Sequence, residues 1–468
     1  MTAGPGLLEQ LQEGLRDVVS KAVERGRKTV VSVTVPSGVS DPVATAFASR
    51  RADDDWFCWE QGGGSVSLAG IGVADSIVSR GRDRFFDLAA ECAHLSGEAI
   101  VLDPEEIAAR TGPVWCGGFA FDDEGGGSPE WEPFPPARMV LPELLLERSA
   151  GSTSMTVNLV VTGGTDPETV VQAALGRATG LHERALPLLD PLPGTATEIE
   201  SRGDPGDFER AVAEAAGRIR DGALDKVVLA REVIVTSDSQ FDPAALFGAI
   251  REGFPTCFNF CVGTPQGSFI GASPELLVSS EGRTVAAVGL AGSSRRSSDP
   301  AVDDHLGQRL LSSPKDRAEH EFVVHRIVDS LRRMSIWVEA SPEPEVVKVA
   351  NIQHLATPVM AQLAEPKTVI ELAGRLHPTP AVGGEPWRDA ARVITEVEGL
   401  DRGWYAGPVG WMDGSGDGLF CVALRSALLR GREAHLYAGV GVVADSDPEA
   451  ELAETEIKLE ALLPLLAE

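Results

Sequence analysis

The chain alternates amphipathic helical segments with short apolar strands, and it contains no repeat of short period. Leucine and valine recur at helical spacing over residues 6–25, which predicts a first helix, and alternation over Thr29–Val35 predicts a strand after it. The same patterns predict strands at Trp56–Glu60, Ser65–Val73, Cys116–Phe121, Met139–Leu146 and Val157–Val161, and helices at Arg82–Leu95 and Pro167–Leu181. This half of the chain carries no motif with an identifiable chemistry.

The stretch Pro187–Gly206 is rich in proline, glycine and charge, a composition that predicts a linker or a surface crossing. Beyond it the pattern predicts a helix from Phe208, a buried strand over Leu224–Val235 and a long helix from Pro314 to about Met334. Shorter strands are predicted at Cys257–Val262, Ser268–Ala272 and Leu276–Ser279. Strands and helices follow in a mixed order rather than as alternating βαβ units. We therefore predict an α+β fold with large, mostly antiparallel sheets and helices outside them.

Two glycine-containing apolar strands lead into an acidic helix between Tyr405 and Lys458. Asp447 is placed as the N-cap of that helix and Pro448 as its first residue. One face of the helix then carries the polar residues Glu451, Glu454, Thr455 and Lys458. Such a face is either exposed to solvent or forms the wall of a site for a small anion and a divalent cation. Helix-face statistics favour the exposed face, unless a second source of carboxylates lies nearby.

The composition is that of an ordinary globular protein, with 468 residues, 43% hydrophobic and 24% charged. At a typical domain size this length predicts about three domains. The 70 acidic and 41 basic residues give a formal charge of −29. This charge argues against nucleic acid and anionic membranes as partners, because both need a basic surface. An anionic substrate would need local arginine, lysine or a metal ion to hold it.

The sequence also predicts a cellular compartment. The first residues lack the charged and apolar regions of a signal peptide, and no apolar run approaches the roughly 18 residues of a membrane span. The six cysteines are scattered without CxxC spacing, which predicts reduced, buried thiols. We therefore expect a cytoplasmic protein. The acidic surface gives no hint of a subunit interface, so a monomer is the default expectation.

Lys226 and Glu275 are candidates for acid–base chemistry. Lys226 enters the predicted buried strand on the same face as Val228 and Ala230. Its ammonium either reaches solvent from the strand end, which is commoner for an isolated lysine, or is desolvated and acts as a general base in its neutral form. Glu275 follows a strand, and Pro274 restrains the turn so that the carboxylate can point inward. A lone glutamate at such a turn is more often an ordinary loop residue.

The long helix that follows Ser313 is a second source of carboxylates. Ser313 is placed as its N-cap and Asp316 as a capping carboxylate, while Glu319 shares the face of Asp316 and has apolar neighbours. A carboxylate packed against apolar side chains needs a partner. Together with Glu451 and Glu454, these acids offer all-oxygen ligation, which suits Mg²⁺ completed by water and substrate oxygens.

Arg425 stands in the apolar sequence VALRSAL, which predicts a strand and a buried guanidinium. A buried guanidinium requires an anion. Arg425 therefore either binds a substrate carboxylate in a bidentate manner or forms an internal salt bridge, and the sequence pattern supports the two alternatives about equally.

Seven blocks of sequence together resemble the chorismate-utilising enzymes: isochorismate synthase, salicylate synthase and the first components of anthranilate and aminodeoxychorismate synthases. The blocks are LDKVVLAR, GASPELL, SSPKDRAEH, IQHLATP, LHPTPAVGG, RGWYAGPVGW and SDPEAELAETEIK. They are dense between Phe208 and Leu466, whereas residues 1–190 match only in a general way. The resemblance implies one large α+β unit. In it, residues 207–468 form the chorismate-binding catalytic region and residues 1–190 form the less distinctive half of the fold.

The resemblance also implies roles for individual residues. Glu319 and Glu454 match magnesium ligands, and Asp316 and Glu451 match nearby acids, although this chain has Asp316 where glutamate is more usual. The residues expected to contact the substrate carboxylates and ring, or to line the pocket around them, are Gly292, His354, Ala381, Tyr405, Arg425, Gly439 and Lys458.

The residues at two positions distinguish the activities found within the family. Members that add water to the ring carry lysine where this chain has Lys226, whereas the ammonia-using anthranilate and aminodeoxychorismate synthases use no lysine base there. This difference is chemically sensible because attack by water needs a base. Ala381 resembles isochorismate synthases, since salicylate synthases tend to carry threonine at that place. The resemblance therefore implies a Mg²⁺-dependent isochorismate synthase without a glutaminase partner, serving menaquinone or siderophore biosynthesis.

In the expected reaction, neutral Lys226 removes a proton from a water that attacks C2 of chorismate, and protonated Glu275 donates a proton to the departing C4 hydroxyl. One alternative is a salicylate synthase, which goes on to eliminate pyruvate from isochorismate. Another is a non-catalytic chorismate-fold protein that binds the ligand without turnover.

Overall fold

The computed structural model describes residues 5–103, 110, 112–189, 197–349 and 351–467. Its helices are α1 (Pro5–Arg25), α2 (Pro42–Ser49), α3 (Arg84–Gly97), α4 (Pro167–Thr179), α5 (Pro205–Arg220), α6 (Pro243–Gly253), α7 (Pro300–Ser312), α8 (Pro314–Arg332), α9 (Val369–Leu376), α10 (Trp387–Val397), α11 (Pro448–Leu459) and α12 (Leu463–Ala467). A short 3₁₀ turn spans Pro129–Trp131. The helices predicted over residues 6–25 and from Pro314 are confirmed.

The strands are β1 (Thr29–Pro36), β2 (Trp56–Gln61), β3 (Val66–Ile71), β4 (Asp75–Ser79), β5 (Ile100–Leu102), β6 (Trp115–Phe119), β7 (Ala137–Leu141), β8 (Leu144–Ser149), β9 (Ser152–Val161), β10 (Thr197–Ser201), β11 (Lys226–Ser237), β12 (Phe258–Thr264), β13 (Gly267–Ser273), β14 (Leu276–Glu281), β15 (Thr284–Arg295), β16 (Ser335–Ala340), β17 (Glu345–Val349), β18 (Ile352–Leu363), β19 (Gly384–Glu385), β20 (Pro408–Met412), β21 (Gly418–Val422), β22 (Ser426–Arg430) and β23 (Glu433–Val442). The strand predicted over Leu224–Val235 corresponds to β11, with ends shifted by a few residues.

Aspartate followed by proline begins many of the helices. The aspartate side chain accepts a hydrogen bond from a backbone N–H of the first turn, and proline occupies a position whose N–H would have no partner within the helix. These caps are Asp41, Asp166, Asp204, Asp242, Asp299 and Asp447. Ser313 caps α8 in the same way, so both caps predicted from the sequence, Asp447 and Ser313, are confirmed.

The strands form one sheet of 13 strands and one of 10. The first has the order β10-β11-β23-β22-β13-β12-β2-β3-β8-β9-β1-β5, with β19 on β11, and the second has the order β16-β18-β15-β14-β21-β20-β6-β7-β4, with β17 on β18. Among the described strands every pairing is antiparallel except that of β1 with β5. The predicted α+β fold with mostly antiparallel sheets is confirmed. In both sheets a strand of residues 1–190 pairs with a strand of residues 207–468, at β2/β12 and β6/β20.

Buried apolar side chains form two clusters. The first contains Trp59 of the first sheet and Trp411 of the second, so the two sheets pack against each other. The second contains Leu11 of α1 and Phe247 of α6 together with Val31 of the first sheet, so helices cover part of that sheet. Burial of this much apolar surface is the main stabilising term in a protein of this size.

Part of the predicted linker is structured. Residues 197–201 form β10, which pairs with β11 at the edge of the first sheet, and α5 begins at Pro205. The linker alternative is wrong for this part, because a neighbouring strand supplies hydrogen bonds that local composition does not reveal. The alternative of a surface crossing agrees with the exposure of residues 198–200. Residues 190–196 of the same stretch lie outside the described residues.

The structure also bears on the predictions about the cysteines and about membrane-spanning segments. All six cysteines are free and buried, as their spacing predicted. None of the helices in the described part of the chain has the length and apolar character that a bilayer crossing requires.

Candidate active site

One cavity collects the residues singled out in the sequence. Its walls come from β11 and β23 of the first sheet, β15 of the second sheet, helices α8 and α11, and the turns at Glu275 and Tyr405. The predicted site residues that line it are Glu275, Gly292, Asp316, Glu319, His354, Ala381, Tyr405, Arg425, Gly439, Glu451, Glu454 and Lys458. Lys226 contacts the lining residue Glu319. The structure thus brings the predicted residues together, while their individual roles stay predictions.

The register of β11 against β23 leaves space for the cavity. Val228 lies opposite Gly441, and paired residues of antiparallel strands project to the same side. A Cβ atom on Gly441 would lie 2.7 Å from Glu319 Oε1 and 2.9 Å from Lys226 Cε, which is too close for either contact. Glycine at position 441 therefore allows β23 to approach both side chains.

Lys226 is fully buried, and its Nζ donates a hydrogen bond to Glu319 Oε1 at 2.8 Å. It is the first residue of β11, with Glu385 of β19 opposite it. The alternative in which the ammonium reaches solvent is wrong, because the side chain has no exposed surface. A buried ammonium requires a charged partner, and Glu319 provides it. The role of Lys226 as a general base stays a prediction.

Glu275 lies between β13 and β14, and hydrogen bonds hold both its backbone N–H and its backbone carbonyl. Its N–H donates to Ser273 Oγ at 3.1 Å, and its carbonyl accepts from the N–H of Val422 at 3.0 Å. The side chain is buried, and Oε1 has no hydrogen-bond partner among the described residues. Burial raises the pKa of Glu275 to about 8, although Lys226 and Thr379 act in the opposite direction. The carboxyl group is therefore largely protonated at neutral pH.

Helices α8 and α11 both direct carboxylates into the cavity. Burial, reinforced by the neighbouring carboxylates, raises the pKa of both Asp316 and Glu451. Burial also raises the pKa of Glu454, but Lys458, Lys315 and Ser293 together more than offset this, so its pKa lies below the ordinary value. Lys458 Nζ lies 2.8 Å from Glu454 Oε1, and Lys315 Nζ lies 3.5 Å from Glu451 Oε1.

These acids fit a hard divalent cation that is completed by other ligands. Within the described residues no group of three or more His, Cys, Asp or Glu side chains is arranged to hold a metal ion by itself. Mg²⁺ does not need such a group, because it commonly takes one or two carboxylates and keeps water or substrate oxygens as its remaining ligands. Asp316 and Glu451 both have pKa values raised in part by neighbouring carboxylates, which indicates negative charge that a cation would neutralise. Glu319 of α8 and Glu454 of α11 stay the predicted ligands.

Arg425 departs from its predicted conformation. It lies between β21 and β22 with φ of 48°, so the prediction that it belongs to a strand is wrong. Its Nη2 lies 3.0 Å from His354 Nε2. Nη1 is buried beside the Cys257 thiol, a weak acceptor, and within the described part of the chain it has no hydrogen-bond partner. No carboxylate of the residues that the structure describes pairs with Arg425, so the alternative of an internal salt bridge is wrong there, and the ring of His354 takes the place of a carboxylate. A buried N–H without an acceptor suits an anionic ligand.

His354 is neutral. Burial, followed by the charges of Arg425 and Lys458, holds its pKa well below the ordinary value. Because Arg425 can only donate, Nε2 of His354 must accept, and the ring hydrogen is on Nδ1. Nδ1 lies 3.2 Å from the carbonyl oxygen of Gly292, which it reaches as a donor. The carbonyl that orients His354 thus belongs to a residue with φ of +73°, a backbone conformation that favours glycine.

Several lining residues were not anticipated from the sequence, chiefly Arg402 and Tyr437. Arg402 forms a buried ion pair with Glu398 and donates to the carbonyl oxygens of Val228 at 2.8 Å and Val382 at 2.9 Å. Arg402 is the first residue of the block RGWYAGPVGW, so the resemblance to the family could have identified it. Tyr437 stands two residues before Gly439 on the same strand face, so strand alternation could have identified it.

The sequence of the chain matches a protein-family model and several known proteins. A family model described as chorismate binding enzyme matches residues 17–467. The chain is 32% identical over 451 residues to isochorismate synthase MenF of Bacillus subtilis, and the alignment covers 95% of each chain. It is 33% identical over 476 residues to the salicylate biosynthesis isochorismate synthase of Pseudomonas aeruginosa, covering 98% of this chain and 96% of that one.

A solved structure shares the architecture. The menaquinone-specific isochorismate synthase MenF from Escherichia coli superposes with a TM-score of 0.77 at 25% sequence identity. The superposition covers 96% of this chain and 100% of that one, so both sheets and the helices around the cavity belong to the common fold.

Proposed function

The chain belongs to the family of chorismate-binding enzymes, and we propose on that basis that it is an isochorismate synthase, which isomerises chorismate to isochorismate. Relatives with that name are 32% and 33% identical to it over nearly the whole chain. The observation that carries the proposal is a buried lysine, Lys226, close to a buried carboxyl group, Glu275, whose pKa of about 8 keeps it largely protonated. A base and an acid near one cavity are what the addition of water and the loss of a hydroxyl require.

The cavity offers cationic groups for a dianionic substrate. The described residues offer no acceptor to the buried Nη1 of Arg425, and Nη2 is held by neutral His354 rather than by a carboxylate. The guanidinium therefore keeps its full charge for a substrate carboxylate. Lys458 adds a second positive charge, oriented by its hydrogen bond to the carbonyl oxygen of Gly439 at 2.8 Å. Tyr405 and Ala381 would then contact the ring.

We propose that Glu319 and Glu454 hold Mg²⁺. When bound, the ion supplies positive charge that neutralises a substrate carboxylate, which a protein of formal charge −29 would otherwise repel. Each glutamate is paired with an ammonium group, Glu319 with Lys226 and Glu454 with Lys458. Binding of a cation would weaken both pairs, and the amine of Lys226 would become available to other partners.

The proposed acid–base steps follow from two side chains. When its pair with Glu319 is broken, the Lys226 ammonium first loses a proton to solvent, and the neutral amine then takes a proton from a water. The oxygen of that water forms a bond to C2 as the ring double bonds shift and the bond from C4 to its hydroxyl breaks. Glu275 gives its proton to the departing hydroxyl, which leaves as water. One water enters and one leaves, so the reaction is an isomerisation. Return of the proton from Lys226 to Glu275 resets the enzyme.

Product analysis tests the proposal. The full-length protein is incubated with chorismate and Mg²⁺, and the products are separated by chromatography. We expect isochorismate that accumulates until it reaches equilibrium with chorismate. Salicylate and pyruvate as the main products would identify a salicylate synthase instead. Binding of chorismate in a calorimeter without any product would leave only a binding protein and overturn the proposal.

We further propose that the enzyme works as a cytoplasmic monomer. Six free, buried cysteines support a reducing compartment. The formal charge of −29 disfavours self-association through simple surface contacts. Light scattering coupled to size exclusion should give a mass close to 49.4 kDa, and a mass twice as large would contradict the monomer.

A further inference from the structure

Tyr437 forms part of the cavity wall, and a carboxylate outside the cavity holds its hydroxyl group. Tyr437 Oη donates to Glu232 Oε1 at 3.2 Å. Its ring stacks on that of Tyr405, with centroids 5.2 Å apart and planes inclined by 21°. Both residues line the cavity. Because the hydroxyl of Tyr437 is bonded to Glu232, the ring is the part of Tyr437 that remains for contact with a ligand.

Glu232 is fully buried on β11, the strand that also carries Lys226. It lies directly opposite Tyr437 in the register of β11 and β23, which places both side chains on one face. Its Oε1 also accepts from His435 Nδ1 at 2.7 Å, and its Oε2 accepts from Arg202 Nη1 at 2.8 Å. With three donors around it, this carboxylate has one defined orientation, and so has the Tyr437 hydroxyl bonded to it.

The N-terminal half of the chain supports this arrangement. Arg202 Nη1 also donates to Glu130 Oε1 at 2.8 Å. The ring of Trp131 packs against that of Tyr437, with centroids 5.8 Å apart. Both residues belong to the 3₁₀ turn Pro129–Trp131, so residues far from the chemistry contact the cavity wall from behind.

We propose that Glu232 is a positioning residue for chorismate isomerisation. Glu232 fixes the ring of Tyr437, and the stacked ring of Tyr405 is fixed with it. The two rings form the wall of the cavity against which the substrate lies. The inference rests on the proposed function, because it adds a supporting residue to the cavity where chorismate is proposed to bind. A carboxylate is suited to this task. Both of its oxygens accept hydrogen bonds, whereas a glutamine has only one acceptor oxygen for donors on two sides.

The test compares Glu232→Gln and Tyr437→Phe with the wild-type full-length chain, using chorismate and Mg²⁺. The wall contacts the substrate ring in the ground state and the transition state alike, so its displacement should raise KM and change kcat little. We expect the KM for chorismate to rise about fivefold in each variant, the scale of one lost hydrogen bond, with kcat within about twofold of wild type. The double variant should show no further rise, because both changes remove the same contact.

Two controls separate positioning from general destabilisation. Glu339→Gln makes the same chemical change at an exposed side chain of β16, a strand of the second sheet, and it should leave KM unchanged. The near-UV circular dichroism of Glu232→Gln should change while its far-UV spectrum does not, because the aromatic stack is disturbed and the fold is kept. Tyr437→Phe, which removes a single oxygen, carries the test if Glu232→Gln does not fold.

Each outcome has a distinct meaning. An unchanged KM in both single variants, or rises that multiply in the double variant, would overturn the positioning role and leave the proposed function intact. Absence of isochorismate with the wild-type chain would overturn the proposed function, and the positioning role would lose its premise.

Discussion

Lys226 Nζ and Glu319 Oε1 lie 2.8 Å apart, although the two residues are separated by 93 positions in the chain. Strand β11 supplies the lysine, helix α8 supplies the glutamate, and Gly441 of β23 leaves room for them to meet. The pair gives a buried ammonium its counter-charge. It also joins the expected base to an expected metal ligand, so under the proposed roles cation binding and proton transfer would depend on the same contact.

Replacement of the expected base should abolish turnover. Lys226→Ala should lower the rate of isochorismate formation by at least about 100-fold, because general-base catalysis is lost. Calorimetry should still detect binding of chorismate and Mg²⁺. Lys21→Ala, which removes an exposed lysine with a 2.7 Å ion pair to Asp17, serves as the control and should retain full activity. Normal turnover by Lys226→Ala would refute the assignment.

Glu275 should impose a pH dependence on stability. Burial raises its folded pKa from 4.5 to about 8, so the folded state holds the proton more tightly than the unfolded chain does. The associated stability is complete below about pH 4.5 and is lost as pH rises through about 8. Glu275→Gln cannot ionise, so its free energy of unfolding should fall less than that of wild type over this window.

Urea denaturation at a series of pH values measures this difference, and turnover of Glu275→Gln should be absent in the same buffers. Glu281→Gln removes an exposed carboxylate from the end of β14 and should follow the wild-type curve. Parallel pH curves for Glu275→Gln and wild type would show that the buried carboxyl does not titrate as its environment indicates.

The predicted metal ligands should control the requirement for Mg²⁺. Glu319→Gln and Glu454→Gln should each raise the Mg²⁺ concentration for half-maximal activity by at least about tenfold, since even outer ligands of a metal cost that much. Glu449→Gln changes an exposed residue of the first turn of α11 and should leave the Mg²⁺ requirement unchanged. An unaltered Mg²⁺ titration in both ligand variants would place the ion elsewhere.

Gly441→Ala should impair activity more than stability. The new Cβ would lie 2.7 Å from Glu319 Oε1 and 2.9 Å from Lys226 Cε, and both are near the ends of flexible side chains that can move away. The fold should therefore persist, while misplacement of the lysine by about 1 Å lowers turnover about 100-fold. Gly253→Ala, at the end of α6, meets open space and is the matched control. Wild-type turnover by Gly441→Ala would show that the close approach is dispensable.

Arg402→Ala should destabilise the protein strongly. The variant leaves the carboxylate of Glu398 buried and unpaired, and the carbonyl oxygens of Val228 and Val382 lose their donor. Breaking a buried ion pair costs about 3–5 kcal/mol in the free energy of unfolding, which denaturant titration measures. Arg392→Ala removes an exposed ion pair with Asp389 in α10 and should cost less than about 1 kcal/mol. Equal losses in the two variants would contradict the importance of burial.

Features that depend on a few neighbouring residues were predictable from the sequence. The caps of α8 and α11 follow from Ser313 and Asp447 with the prolines after them, and the strand β11 follows from an apolar run. The candidate site residues were identified from motifs and from the resemblance to a family. The sequence could not show which of them touch, because the motifs are separated by long stretches of chain.

The tertiary structure alone decided the environment of each group. Arg425 sits in a left-handed conformation next to a histidine, where the apolar sequence around it had predicted a strand. The pKa of Glu275 near 8, the ion pair of Lys226 and the hydrogen bond of Tyr437 to Glu232 all arise from burial and from partners on distant segments. Hydrophobic periodicity and capping act over a few residues, so the sequence by itself determined the elements. Desolvation and charge pairing act across space, so only the folded chain determined the chemistry.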